Sequence, residues 1–173
     1  MIFMALIDKI FSKKGNRQFT KDEDALVDAL NNTIDFIADE AFINFTHTEL
    51  FAIDQELGKF LKITYRNGEF LSQVITFDKV TSYASNIKDR ANEEWMENFS
   101  KWKTQKKFIR SISIIIESES NEKMTLYFTQ SENNDGDRVA SIPVKRALFS
   151  MEKWDNVLYR ILEEKKDKDF FND

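Results

Sequence analysis

The sequence predicts an α+β protein in which an antiparallel sheet, strongly bent or closed into a barrel, is followed by a C-terminal helix. The clearest support is residues 108–130, FIRSISIIIESESNEKMTLYFTQ, where apolar and polar side chains alternate with the period of β-strands. Shorter runs rich in β-branched and aromatic residues occur between residues 41 and 84. An apolar stripe with helical spacing follows near the C-terminus.

The first element, in residues 1–19, is predicted as an amphipathic helix over Ile2–Lys14. The segment carries a net charge of +3, which leaves −8 for the rest of a chain whose net charge is −5. An apolar face beside lysines suits the interface of an anionic membrane, and packing on its own domain or on a second copy explains the pattern equally well. The candidate contact residues are Phe3, Leu6, Ile7, Lys9, Ile10, Phe11, Lys13 and Lys14.

The second element, residues 20–41, is predicted as a helix from Lys21 to about Glu40. Thr20 and Glu23 form the sequence pattern of a capping box, in which each side chain accepts a hydrogen bond from the backbone N–H of the other residue. Three to five short antiparallel strands are predicted next, at 41–45, 50–53, 60–65, 71–76 and 79–84. The dipeptide Asn67-Gly68 predicts a tight hairpin turn.

A charged segment, residues 86–107, is predicted as a helical insertion between strands. Trp95, Phe99 and Trp102 recur at i, i+4 and i+7, which places them on one helical face. Packed on the sheet, this face is core; exposed, it would be a contact surface for a protein partner. Nearby lysines could contact phosphates, but three glutamates on the same helix and a pI of about 5.1 argue against nucleic acid.

The rest of the predicted domain, which spans residues 42–166, begins with strands Phe108–Ser118 and Lys123–Gln130. Ile112, Ile114 and Ile116 are expected on a buried face, and Ser111, Ser113 and Ile115 on the other. A polar loop, a short strand over residues 138–144 and a helix from Ser150 to about residue 165 follow. Residues 167–173 are expected to form a frayed tail.

The residue types that carry most enzyme chemistry are scarce. The chain has no cysteine and one histidine, His47, which excludes thiolate nucleophiles and multi-histidine metal sites. The four glycines are widely separated, so no common phosphate-binding loop is present. The loop 131–137 lacks the carboxylates that an EF-hand places at its first and last positions. We therefore expect no cofactor, no metal and no catalysis.

The element order resembles that of the pleckstrin-homology-like (PH-like) domains found in small bacterial proteins. The resemblance covers about residues 49–164 and lies in alternation patterns: 51–54 with 59–63, 75–83, 112–117 with 124–128, and the helix 151–164. Residues 86–107 depart from it, because they are charged and aromatic where family members have a glycine-rich segment. The resemblance implies a binding scaffold without fixing a ligand.

Together these features predict a non-catalytic binding or adaptor protein in the cytoplasm, attached peripherally to the inner membrane face through the N-terminal helix. Its partner would be an anionic membrane surface or a protein, and a homo-oligomer is compatible with the sequence. Two alternatives remain open. One is a soluble regulator that binds a protein through the Trp95 face, and the other is an enzyme built on carboxylates.

Overall fold

A computed structural model describes residues 20–89, 94–95, 108–131, 136–138 and 141–170. Within them the chain forms two α-helices, a short 3₁₀ helix (Phe77–Lys79) and nine strands, so the α+β prediction is confirmed. In chain order the elements are α1 (Lys21–Asn31), β1 (Glu40–Ile43), β2 (Glu49–Asp54), β3 (Lys59–Arg66), β4 (Glu69–Thr76), β5 (Val80–Asp89), β6 (Glu94–Trp95), β7 (Phe108–Ser118), β8 (Lys123–Gln130), β9 (Asp137–Arg138) and α2 (Ile142–Phe170).

The first sheet is an antiparallel meander with the strand order β1-β2-β3-β4. The predicted hairpin turn joins β3 to β4, where Asn67 and Gly68 have φ angles of 53° and 85°. Positive φ at both central positions characterises the tight turn whose twist matches its strands. Every residue of β2 is buried, so this strand lies in the core on both of its faces.

Helix α1 packs its apolar side against the first sheet. The predicted capping box is present: Glu23 donates its backbone N–H to Thr20 Oγ1, and Thr20 donates its own to Glu23 Oε2. Leu26 and Leu30 are buried in a cluster with Leu61 and Ile63 of β3. The cap fixes where the helix begins, and these leucines fix which side of it faces the sheet.

The predicted extension of α1 to about Glu40 is wrong, because the helix ends at Asn31. Asn32 Nδ2 donates to the Asp28 carbonyl and Thr33 Oγ1 donates to the Ala29 carbonyl. These side chains therefore compete with backbone N–H groups for the carbonyls of the last helical turn. Asp35 then takes a positive φ of 55°, which a continuing helix cannot accommodate. Ile34, within the predicted extension, is 86% exposed.

The second sheet has the order β6-β5-β7-β8, with β9 also paired to β7. The predicted bounds of β7 and β8 are confirmed residue for residue. Ile112, Ile114 and Ile116 are buried as expected, but Ser111 and Ser113 on the opposite face are buried too. This part of β7 is therefore covered on both sides rather than one.

The predicted helical insertion over residues 86–107 is wrong wherever the structure describes it. β5 continues to Asp89, and Glu94–Trp95 pairs with it as β6. Residues 90–93 and 96–107 lie outside the described part of the chain. The prediction rested on the helical spacing of Trp95, Phe99 and Trp102, and at Trp95 pairing with β5 replaces it.

The C-terminal helix also starts earlier than predicted. α2 begins at Ile142 and runs for 29 residues to Phe170, so Ser150 lies inside it. The predicted frayed tail, residues 167–173, is helical as far as Phe170. Of the strand predicted over residues 138–144, Arg138 lies in β9, residues 139–140 lie outside the described part of the chain, and residues 142–144 are helical. Pro143 falls in the first turn of α2, where its missing N–H has no intrahelical partner to lose.

The described residues divide into two compact units. One contains those up to Thr81 together with Glu117–Leu126, and the other contains those of Ser82–Ile116 and Tyr127–Asp173. Among the described strands neither sheet closes on itself through hydrogen bonds, so the closed barrel stays a prediction.

Candidate functional site

Nearly all residues of the two contact surfaces predicted from the sequence lie outside the described part of the chain. The N-terminal candidates Phe3, Leu6, Ile7, Lys9, Ile10, Phe11, Lys13 and Lys14 lie outside the described residues, as do Phe99 and Trp102. Trp95 lies in β6, where its backbone is in register with Ile87 of β5. The helical spacing on which the predicted Trp95, Phe99 and Trp102 face depended therefore does not apply at Trp95.

The described surface that stands out is the outer side of α2. Six exposed residues recur there at alternating separations of four and three, and we call them the basic stripe: Ile142, Arg146, Phe149, Lys153, Asn156 and Arg160. With a rise of ~1.5 Å per residue, the stripe is about 27 Å long. The apolar members are unusually exposed, Ile142 at 66% and Phe149 at 71%.

The opposite side of α2 fixes the direction in which the basic stripe faces. Its buried side chains recur with the same helical period and are Val144, Ala147, Leu148, Met151, Trp154, Val157, Leu158 and Leu162. Trp154 is among the largest fully buried side chains described. Because rotating the helix would expose this apolar face, the stripe is held outward by the core.

The charge of this helix side is opposite to that of the whole chain. Three of the six stripe residues are basic and none is acidic, and exposed Lys145 lies beside the stripe. The carboxylates beside it are Glu152 and Glu163, and acidic residues 164 and 167 follow Arg160 at the same spacing, so the positive charge is confined to residues 142–160. A local concentration of positive charge on a chain with a net charge of −5 attracts anionic surfaces and orients their approach.

A small polar cluster lies at the margin of α2 within the second unit. Ser85 Oγ of β5 donates to Asp155 Oδ1 at 2.9 Å. Burial, followed by the negative charges of Asp155 and Glu163, raises the pKa of the Tyr83 phenol above its ordinary value. A serine bonded directly to a carboxylate, with no imidazole between them, lacks the general base of a hydrolase triad. The cluster is best explained as part of the attachment of α2 to β5.

The only histidine contributes to the start of α1. His47 Nε2 lies 3.4 Å from Glu23 Oε1, and its Nδ1 lies 3.3 Å from Thr20 Oγ1. Both partners belong to the capping box, and Glu23 is buried. This arrangement stabilises the helix terminus and the turn before β2, so we assign His47 a structural role.

A buried ion pair lies in the first unit. Lys62 Nζ is 2.8 Å from Glu49 Oε1, and the two side chains are only 13% and 7% exposed. Lys62 also donates to the carbonyl oxygen of Thr125, which ties β3 to the start of β8. Glu49 Oε2 is buried without a hydrogen-bond partner in the described structure. The pair is a tether within the unit.

Neither a metal centre nor a membrane-spanning helix is found in the described part of the chain. No group of three or more His, Cys, Asp or Glu side chains among those residues is arranged to hold a metal ion. Neither described helix is both long enough and apolar enough to cross a bilayer.

Comparison with known proteins gives no further assignment. No protein-family model matches the chain, and no curated protein or solved structure matches it either. The basic stripe is therefore the feature on which a functional proposal must rest.

Sequence reasoning missed the stripe because it started the C-terminal helix at Ser150. Ile142, Arg146 and Phe149 then fell in a predicted strand and the turn after it, and only the buried apolar side was recognised. The missed signal was Pro143, which is favourable in the first turn of a helix. A start at Ile142 would have aligned all six stripe residues at helical spacing.

Proposed function

We propose that this protein is a non-catalytic binding or adaptor module with a PH-like scaffold, attached peripherally to an anionic membrane surface on the cytoplasmic side. Support for the scaffold comes from chain order, in which a four-stranded meander precedes a second antiparallel sheet and a helix follows. In this proposal the two sheets form the strongly bent arrangement of PH-like domains and α2 is their C-terminal helix.

The observation that carries the choice of an anionic partner is the outer side of α2. It presents exposed lysines and arginines together with Ile142 and Phe149, on a chain with an excess of acidic residues. This combination of basic and apolar groups is the composition that peripheral proteins use at a lipid interface. The basic residues would not contribute to the binding of an uncharged partner.

The N-terminal segment supplies the second contact in this proposal. Residues 1–19 combine a predicted apolar face of five large residues with a net charge of +3. Stable peripheral attachment generally needs two signals, because one weak anchor dissociates readily. A basic helix side and an amphipathic segment together meet that requirement.

The test is co-sedimentation of the full chain with vesicles of phosphatidylcholine, with and without phosphatidylserine. We expect binding that requires the anionic lipid and weakens with salt, because both contacts are electrostatic. Leu6→Asp/Ile10→Asp should reduce binding by at least tenfold, since it places two charges on the predicted apolar face. The matched control, Ser12→Asp/Gln18→Asp, adds the same charge away from that face and should retain more binding.

Failure of the native chain to bind anionic vesicles at low salt would refute the proposed attachment. Equal binding by the two double variants would show that the N-terminal apolar face is not an anchor.

A further inference from the structure

We infer that α2 lies flat on an anionic bilayer along the basic stripe, with Phe149 and Ile142 inserted between the lipid headgroups. This inference deepens the proposed function and rests on it. It assigns a contact surface to described residues and fixes the side of the second unit that faces the lipid.

The stripe has the geometry that contact with a plane requires. At ~100° per residue its six members lie within about 80° of the helix circumference, so one plane along the helix touches all of them. Glu152 and Glu163 lie beside the stripe. The stripe ends at Arg160 because the next positions at the same spacing, Glu164 and Asp167, are acidic. Over residues 142–160 a flat anionic surface can therefore meet three cations without meeting a carboxylate within the stripe.

The apolar members distinguish a bilayer from other anionic partners. Ile142 and Phe149 are separated by seven residues, or two turns, and lie with Arg146 between them. Both are more than half exposed in the described structure, so their apolar surface remains available for burial. In a lipid interface aromatic rings and branched aliphatic side chains enter the boundary of the acyl chains. The long side chains of arginine and lysine then extend to the lipid phosphates.

The shape of the surface also favours a lipid plane over a peptide or a nucleic acid. Bound helices and strands usually occupy a groove or a sheet edge, and single-stranded nucleic acids follow a basic channel with stacking platforms. The outer side of a helix is convex and offers one aromatic ring, Phe149, within the stripe. A fluid bilayer adapts to such a ridge.

The first experiment removes charge from the stripe. Lys153→Gln/Arg160→Gln should weaken binding of the full chain to phosphatidylserine vesicles about 25-fold, at roughly fivefold per basic residue. The matched variant Lys79→Gln/Arg66→Gln removes one lysine and one arginine that are also exposed but lie in the first unit. Its binding should change by no more than about threefold, because those charges do not meet the plane.

The second experiment measures insertion directly and exploits the absence of native cysteine. A polarity-sensitive fluorophore on Phe149→Cys should shift to the blue and become protected from an aqueous quencher when anionic vesicles are added. The same fluorophore on Ser72→Cys, an exposed position of β4, should show neither change. Circular dichroism of each variant confirms that the fold is retained.

The outcomes separate this inference from the proposed function. If the native chain does not bind vesicles, the proposed function fails. If it binds, but the Lys153/Arg160 variant binds equally or the fluorophore at residue 149 stays in water, only the orientation of α2 is refuted. If single-stranded DNA displaces the protein from vesicles at equal phosphate concentration and protects residue 149, the surface belongs to nucleic acid and the inference is wrong.

Discussion

Replacing Lys62 with methionine tests the idea that the buried ion pair is a tether rather than an incidental contact. The substitution keeps the length of the apolar stem but removes the ammonium group that lies 2.8 Å from Glu49 Oε1. Glu49 would then hold a charge in a site where its side chain is only 7% exposed and its second oxygen already lacks a hydrogen-bond partner. The Thr125 carbonyl would lose its donor as well.

The expected cost is about 3–5 kcal/mol of unfolding free energy, the range for removing one partner of a buried pair. The low exposure of both side chains justifies that range, since an exposed pair would contribute only ~0–1 kcal/mol. A loss of this size is a large part of the ~5–15 kcal/mol that stabilises a typical domain. Urea denaturation followed by circular dichroism, with the slope compared between variants, measures it.

The double variant Glu49→Gln/Lys62→Met separates charge burial from packing. Removing both charges should recover at least ~1.5 kcal/mol relative to Lys62→Met alone, because the uncompensated carboxylate is gone. Lys79→Met is the control, since Lys79 is exposed and its loss should cost less than ~0.5 kcal/mol. A cost below about 1 kcal/mol for Lys62→Met, or no recovery in the double variant, would refute the reasoning.

Three further substitutions test other parts of the structure. Thr20→Ala removes the capping side chain of α1 and should cost ~0.5–2 kcal/mol in urea denaturation; an unchanged midpoint would mean that the helix start is fixed by other contacts. Gly136→Ala would place a Cβ 2.6 Å from the Ile109 carbonyl oxygen, at a φ of +75°. It should destabilise the protein more than Gly68→Ala, because the Cβ added at Gly68, where φ is +85°, would have no atom within 4 Å. Equal costs for the two glycine variants would show that only backbone strain matters, at about 1–2 kcal/mol. Because the folded pKa of Tyr83 is raised, the folded state favours the neutral phenol, and stability is lost as pH rises from the unfolded value of about 10 through the folded pKa. Tyr83→Phe should therefore lose less thermal stability than the native chain as the pH rises above about 10, and parallel curves would contradict the raised pKa.

The sequence was most informative where local pattern and tertiary environment agree. β7 and β8 were predicted to the residue because a polar turn separates two runs in which apolar and polar residues largely alternate, and no helical period competes with them. The start of α1 was equally clear, because the capping box acts within four residues. Both signals are local, so no knowledge of distant contacts was required.

The errors arose where a contact with a residue distant in sequence overrode a weak local preference. Apolar residues after Asn31 continued the helical spacing of α1, but Ile37 donates its backbone N–H to Asp54 Oδ2, which no sequence pattern revealed. Likewise, Trp95 is held in β6 by pairing with β5, although its neighbours favour a helix. The candidate surface on α2 was missed for a local reason, since Pro143 was interpreted as a strand residue rather than as the opening turn of a helix.

The two units differ in how early they can become ordered. Strands β1 to β4 pair only with their neighbours in the chain, so this meander can assemble once residues 40–76 have been made. The unit that contains it is complete only when Glu117–Leu126 arrives, because Lys62 finds its carbonyl partner there. Pulse-labelling hydrogen exchange should accordingly protect the amides of β3 before those of residues 123–126, and the reverse order would contradict this sequence of events. In a ribosome-bound chain, the ammonium of Lys62 can therefore pair with Glu49 early, but it gains the Thr125 carbonyl only when a segment more than sixty residues downstream has been made.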